Sequence, residues 1–517
     1  MSMKQQLNLS EEEFITKARA GEKIISNFAC LLSDLDTPVS TYAKLSQHFK
    51  DCFLFESVLG GEKLGRYSFI GANALNKFSS FKTDDFSPYD EIENLLANYS
   101  YQNQNLNIQD TVTHNISQEL KFFHKGFVGF FSFESIERIE PSLDLKESPL
   151  PEYFLYLAGS LIVFDHVEQK LYIISNSLIE GLETEYLKNT YQKNTEDINQ
   201  LITIISEEHT LEKINDTSSK NTKELEIRKF KSNSSEKAFR EMVKKAQEHI
   251  LEGDIFQVVL SQRFFLEAEL DALTTYRLLR SLNPSPYLYL FNVDLSHLDK
   301  ESFSIVGSSP EMLIKSEILE NENGESEIWA ELRPIAGTYK RGKNASEDKI
   351  LTEKLLKDTK EIAEHVMLVD LGRNDLGRVC ENGTIHLAEN MVVEKYSHVL
   401  HIVSSVKGKL KKTINSIALL KACFPAGTLT GAPKIEAIKI ISKLENEARG
   451  PYGGCIGYIN LDGTINVAIM IRTIILEKHQ ASIQCGAGIV ADSSPASEYQ
   501  ETFNKARALM EVLSASA

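Results

Sequence analysis

The stretch DTKEIAEHVMLVDLGRNDLGR, from Asp358 to Arg378, decides how the rest of this chain is read. A helix over 361–371, turning roughly 100° per residue, puts Ile362, Val366 and Val369 on one apolar face. Glu361, Glu364, His365 and Leu368 then share a second face about a quarter-turn away. Two carboxylates and an imidazole thus sit on a segment whose other side is committed to a core. Ionised carboxylates are costly to bury unless a cation or hydrogen-bond donors compensate them. Two readings are open: a half-exposed helix edge with solvated glutamates, or a site that holds a metal or a polyanion.

At 517 residues the chain has room for two or three domains, and 42% hydrophobic with 25% charged residues is ordinary globular composition. The net charge of −17 argues against nucleic acid or an anionic membrane as the main partner. An anionic substrate would therefore need local positive charge or a metal. MSMKQQLNLSEEEF has no apolar core of the secretory kind, and the longest apolar run, 153–164, is too short to span a membrane. Six scattered cysteines without CxxC spacing indicate neither zinc nor a disulfide framework, so a cytoplasmic protein is expected.

Along the chain, strands are expected at 52–57, 66–71, 126–133, 153–164 and 170–174, with a turn at the glycines 60 and 61. The first third, 1–182, reads as a sheet-containing domain with few helices. From 183 to 232 Asn, Lys, Glu, Ser and Thr dominate, as in a connecting helix followed by a flexible loop. The part from 233 to 517 opens with an amphipathic helix over 235–253, capped by serine and closed by glycine. Strands at 256–260, 287–291 and 303–306 and helices near 274–281 and 346–371 follow. The end reads as a meander of 456–459, 465–473 and 482–485 with a turn at Asp462-Gly463, then a helix from about 497. No repeat is visible. The class is α+β, with antiparallel sheets flanked by helices.

Two motifs are decoys. Gly486-Ala-Gly-Ile-Val-Ala491 fits a dinucleotide-binding turn, but Asp492-Ser-Ser-Pro495 delays the helix that would have to carry the pyrophosphate. Gly453-Gly-Cys455-Ile-Gly457 resembles a glutaminase elbow, yet a strand and not a helix follows it. Cys455 then reads as a small buried residue and the chain as lacking its own glutaminase.

In the meander, Asn466, Ala468, Met470 and Arg472 are expected on one face and the isoleucines with Val467 on the core face. Arg472 has the fork to meet a carboxylate, or else serves in a structural ion pair. Gly486 and Gly488 let an anion approach the backbone closely. On the last helix Glu498, Glu501 and Lys505 share a face. Glu364 and Glu501, from separate helices, are either solvated surface or joint ligands of one hard cation such as Mg2+.

The segments RPIAGTYKRG (333–342), EIAEHVMLVDLGRNDLGR (361–378), YSHVLHIVSSV (396–406), FPAGTLTGAPK (424–434), GPYGGCIGY (450–458) and QCGAGIVADSSPASEYQET (484–502) together resemble the chorismate-utilising enzymes. Within that family, FLFES, GGEKLGRYSFIG and NPSPYLYL (283–290) are similar to the anthranilate synthase component I branch. The resemblance covers nearly all of the chain beyond about residue 25. It implies a chorismate-binding catalytic domain at 233–517 behind an N-terminal regulatory domain at 1–182.

The resemblance also implies roles. Glu364 and Glu501 would hold Mg2+, and Gly337, Thr338, Tyr452, Arg472, Gly486, Ala487, Gly488 and Lys505 would contact chorismate. His401, Thr428 and Glu311 would be catalytic, with His401 near the departing pyruvate. The reaction implied adds ammonia at ring C2, loses the C4 hydroxyl and eliminates pyruvate to leave anthranilate. Ammonia would come from glutamine on a separate glutaminase subunit in a hetero-oligomer. Ala336 and Gln257 stand where sister enzymes that form lysine adducts or activate water carry lysine, which disfavours those chemistries. Glu56, Ser57, Pro286, Tyr287 and Leu288 resemble the family's tryptophan pocket, with Leu288 in place of the usual methionine. The rival readings are an aminodeoxychorismate synthase component I and a catalytically silent tryptophan-binding regulator.

Overall fold

The computed structural model describes residues 7–59, 63–84, 86–99, 120, 122–209, 211, 213–214, 229–395 and 399–517. The expected glycine turn at 60–61 and the centre of the expected loop, 215–224, lie outside the described residues.

Two large antiparallel sheets carry the fold. The first runs in the order Ile24–Leu32, Lys170–Leu178, Ser160–Asp165, Tyr67–Ala72, Phe53–Glu56, Tyr287–Val293, Phe303–Ser309, Thr473–Glu477, Gln480–Ile489, Gln257–Glu267 and Lys231–Ser232, with Gly431–Ala432 on Gln257–Glu267. The second runs Ile335–Lys340, Val399–Lys409, Ser326–Leu332, Met312–Glu320, Ile465–Ile469, Cys455–Asn460, Gly126–Phe131, Tyr153–Leu157 and Asn76–Ser80, with His386–Lys395 on Val399–Lys409. The N-terminal third supplies strands to both sheets. Helix Thr184–Ser206, at the start of the expected linker, buries Ile198, Leu201 and Ile204 against the first sheet and Leu187 in a small cluster with Phe14 and Ile25.

Between the sheets lies an aromatic core. Phe130 and Phe154 of the second sheet meet Phe291 of the first at ring distances of 6.4 and 6.2 Å. Edge-to-face contacts of this kind add to the area that aromatic burial removes from water. Helices cover the outer faces, Pro495–Ser516 on the first sheet and Thr359–Val379 on the second.

Local rules set many of the boundaries. Helix Glu236–Glu252 starts where the Ser235 side chain accepts from Ala238 N–H, and ends at Gly253 with φ 89°. Helix Thr359–Val379 begins at Asp358, whose carboxylate accepts from Lys360 and Glu361 N–H. That cap splits the single helix expected over 346–371 into Ala345–Leu355 and Thr359–Val379.

Three further expectations are corrected. The run 153–164 is two strands, one in each sheet, broken at Ala158-Gly159, where a Cβ on Gly159 would lie 2.1 Å from the Asn73 carbonyl oxygen. The run 465–473 is likewise broken after Ile469 and resumes at Thr473 in the other sheet. The helix also departs in part from its expected faces, although Val369 of the apolar one is buried as expected. Val366 is 40% exposed, whereas His365 is fully buried and donates to or accepts from Ser404 Oγ at 2.7 Å. Of the polar face, His365 and Leu368 are buried, while Glu361 and Glu364 stay half-buried.

Candidate active site

The site forms where the chain passes between the two sheets. Glu311 lies between Ser309, the end of a strand in the first sheet, and Met312, the start of one in the second. Arg472 lies on the return path, between Ile469 and Thr473. The two crossings run side by side: Ile469 N–H donates to the Glu311 carbonyl at 3.0 Å, and Ser308 N–H to the Arg472 carbonyl at 3.1 Å. Arg472 has φ 49°, a left-handed conformation that costs a branched-chain-free residue on the order of 1 kcal/mol or more. Leaving the pleat there breaks the alternation expected for Asn466 through Arg472, and Met470 is fully buried.

Around this crossing the expected residues converge. The Thr428 hydroxyl donates to Glu311 Oε1 at 3.0 Å. Burial pushes the Glu311 carboxyl up to about 7, against the opposing pull of that hydrogen bond, Arg472 and Lys505. His401 Nδ1–H donates to the Gly337 carbonyl at 3.2 Å. Burial first, and Arg472 next, push this imidazole down to about 4, so it is neutral at pH 7. Gly337 has φ 76°, and the bulge it makes lets Thr338 pair with His401. The side chain of Thr338 lies outside the described part of the structure.

Gly486 and Gly488 lie on the first sheet opposite Ser261 and Val259. A Cβ on Gly486 would stand 2.8 Å from the Tyr452 hydroxyl, and one on Gly488 2.8 Å from Gln257 Nε2. The bare backbone is therefore what makes room between those two side chains. Ala487 points the other way, fully buried in the core with Val258 and Leu260. Only its backbone is available to a ligand.

Carboxylates border this glycine pair. Gln257 Nε2 donates to Glu364 Oε1 at 3.3 Å. Lys505 donates to the Gly486 carbonyl at 3.0 Å and pairs with Glu501 at 2.8 Å. Lys505 thus reaches the strand through its carbonyl and is already engaged by protein. Burial and the nearby Glu501 raise the Glu498 carboxyl above its ordinary range, against Ser493 and Lys505. Glu364 and Glu501 each offer carboxylate oxygens of the kind a hard cation takes. A tighter group of three possible ligands among the described residues, His249, Glu252 and Asp254, sits apart on the surface.

Sequence reading missed the supports. Asp375 and Lys434 form a largely buried pair at 2.9 Å, and Lys434 also donates to the Cys423 carbonyl at 3.3 Å, anchoring the segment that bears Thr428. Both stand in the quoted motifs, but nothing in their spacing says that they meet.

A second region lies between the sheets. A cavity of about 750 Å3 is lined by Glu56, Ser57, Pro286, Tyr287 and Leu288 of the first sheet's side, and by Ala468 and Tyr458 of the second. Pro310 and Met312, the neighbours of Glu311, line it as well. The Glu56 carboxylate does not stand alone: the Tyr276 hydroxyl donates to it at 2.6 Å, and Arg280 pairs with it at 2.9 Å. Cys455 is fully buried at the start of its strand, and the 486–491 glycines lie within a strand. No helix among the described residues is long and apolar enough to cross a membrane.

The chorismate binding enzyme family matches residues 50–511. Anthranilate synthase component 1 of Synechocystis is 41% identical over 503 residues, covering 94% of this chain and 95% of that protein. The Aquifex aeolicus protein of the same name is 39% identical, with 98% of each chain covered. The solved structure of anthranilate synthase component I from Streptococcus pneumoniae aligns with a TM-score of 0.68 at 31% identity, over 93% of this chain and 99% of that one. The menaquinone-specific isochorismate synthase of Escherichia coli, at 18% identity and a TM-score of 0.69, shares the fold. With the family match running over 50–511 and these relatives covered over nearly their whole length, the chain belongs to the chorismate binding enzyme family.

Proposed function

We propose that this chain is the large subunit of an anthranilate synthase, converting chorismate and ammonia into anthranilate and pyruvate. The observation that carries the reading is the pair of titratable groups set apart by their surroundings at one crossing: Glu311 near 7 and His401 near 4. A carboxyl poised near neutrality can hold a proton for a departing hydroxyl, while a neutral imidazole can accept one.

In this reading Arg472 and the N–H groups near Gly486 and Gly488 receive the carboxylates of the substrate. Ammonia attacks ring C2 as the C4 hydroxyl leaves as water with the proton of Glu311, held in line by Thr428, and the ammonium formed at C2 gives up one proton, which balances the one Glu311 lost. His401, with Nδ1–H fixed on Gly337, then takes the C2 proton as the ring C3–O bond to the enolpyruvyl group breaks, and the departing enolate takes up a proton at its methylene carbon to leave as pyruvate. Glu364 and Glu501 are the residues that would hold Mg2+, which supplies positive charge for the ring carboxylate. Gln257 and Ala336 offer no amine, which supports ammonia over water or a lysine adduct as nucleophile.

Ammonia would be delivered by a separate glutaminase subunit, since the cysteine of the glutaminase-like motif is buried in a strand. Tryptophan would be the feedback inhibitor, bound in the cavity between the sheets. The test is the purified chain with chorismate, Mg2+ and ammonium, followed by anthranilate fluorescence. Anthranilate is expected with ammonium and none with glutamine alone. Isochorismate or aminodeoxychorismate as the sole product would overturn the assignment.

A further inference from the structure

We propose that Glu134, far from the site in sequence, is a positioning residue that holds the 449–453 turn and so seats Tyr452 against Gly486. The inference rests on reading that site as the chorismate site. Glu134 stands in the short 3-10 helix Phe133–Arg138 and is 3% exposed. Its Oε1 accepts from Arg449 N–H at 2.6 Å and its Oε2 from Gly450 N–H at 2.9 Å. The neighbouring Phe133 N–H donates to the Gly450 carbonyl at 2.8 Å, so the two backbones are locked from both sides.

The turn so held reaches three parts of the site. Tyr452 lies two residues on, with its hydroxyl packed against Gly486, 2.8 Å from where a Cβ there would stand. The Arg449 side chain, fully buried, donates from Nη1 to the Leu429 carbonyl at 2.7 Å, next to Thr428. It donates from Nη2 to the Val259 carbonyl at 2.8 Å, opposite Gly488. Glu445 balances its charge through Nε and Nη2 at 2.9 and 2.6 Å. The guanidinium also lies over the rings of Phe133 and Tyr452, at 4.7 and 5.5 Å.

Burying a carboxylate is expensive unless its lone pairs are used. Burial pushes Glu134 up to about 7, with the two N–H groups pulling the other way. Both oxygens serve one turn, and that turn carries Tyr452. Loss of one such bond shifts a tyrosine that would contact substrate, without touching a reacting atom.

The test uses Glu134→Gln, which keeps the shape but replaces one acceptor with a donor facing an N–H. Glu134→Asp, shorter by one methylene, is the second variant. In the ammonium assay the KM for chorismate is expected to rise about tenfold, the effect of roughly one lost hydrogen bond, with kcat changed less. In a Tyr452→Phe background the same change should cost under about twofold, because coupled residues are not additive. Crystal structures of both Glu134 variants should show the Tyr452 hydroxyl displaced from Gly486. Full additivity with Tyr452→Phe, or Tyr452 unmoved in the crystal, overturns the proposal. Should the wild type form no anthranilate, the functional reading falls, and the Tyr452 displacement still decides the positioning role.

Discussion

Glu311 and Arg472 sit beside each other at the two points where the chain steps between the sheets, tied through Ile469 and Ser308. Each carries its side chain at a break in the pleat, where neither sheet claims it. The carboxyl is lifted by burial and the guanidinium tempers that lift.

The first prediction follows from that balance. If protonated Glu311 is the acid, kcat/KM falls as pH rises through about 7, and Glu311→Gln loses about 10²–10⁴-fold in rate together with that limb. The stability effect has its own sign. A folded pKa near 7, above the ordinary 4.5, stabilises the fold at acid pH and loses that contribution as pH rises through 7. Glu311→Gln should therefore gain in Tm relative to wild type between pH 5 and pH 8. A pH–rate profile unchanged by the substitution removes Glu311 as the acid.

A second expectation concerns the metal. Glu364→Gln and Glu501→Gln should each lower turnover by orders of magnitude at limiting Mg2+, since each removes one of two protein ligands. Calorimetric titration with Mg2+ should show weakened binding in both. Near wild-type turnover in either variant would show the metal to lie elsewhere.

His401→Met should separate the two halves of the reaction. Amination should survive and pyruvate elimination fail, so chromatography should show an aminated, enolpyruvyl-bearing intermediate accumulating. With its own pKa near 4, His401 should leave no titration limb between pH 6 and 9. Loss of both halves in a folded variant that still binds chorismate would point to a structural role.

Tryptophan inhibition is the fourth. The cavity at Ser57 and Leu288 spans strands of the first sheet and the second, and its wall includes the neighbours of Glu311. A ligand favouring one spacing of the sheets would oppose chorismate, and chorismate would oppose it equally. Inhibition curves of wild type, Ser57→Ala and Ser57→Phe should separate, with phenylalanine filling the pocket and blunting inhibition. A wild type indifferent to millimolar tryptophan ends the idea, and three superimposable curves remove Ser57 from it.

Local chemistry was readable in the chain itself. Ser235 and Gly253 mark the ends of their helix, Gly486 and Gly488 mark an open strand face, and the motifs name the residues that gather at the site. Those features depend on neighbours a few residues away, or on backbone freedom that a single residue type confers. What tertiary structure decided is where strands change sheets and which helix face is buried. The run at 465–473 looks continuous because Asn466, Ala468, Met470 and Arg472 alternate with isoleucine and valine straight through the crossing, and the run at 153–164 because every side chain is apolar, aromatic or small whichever sheet receives it. Burial on both faces erases the alternation that would reveal a break. His365 can be buried because Ser404, on a distant strand, meets its Nε2. The pairing of Glu311 with Thr428, of Asp375 with Lys434 and of Glu134 with the Arg449 turn likewise depends on strands and helices meeting across long separations. No local pattern encodes those meetings, because they are fixed only when the two sheets close on their shared aromatic core.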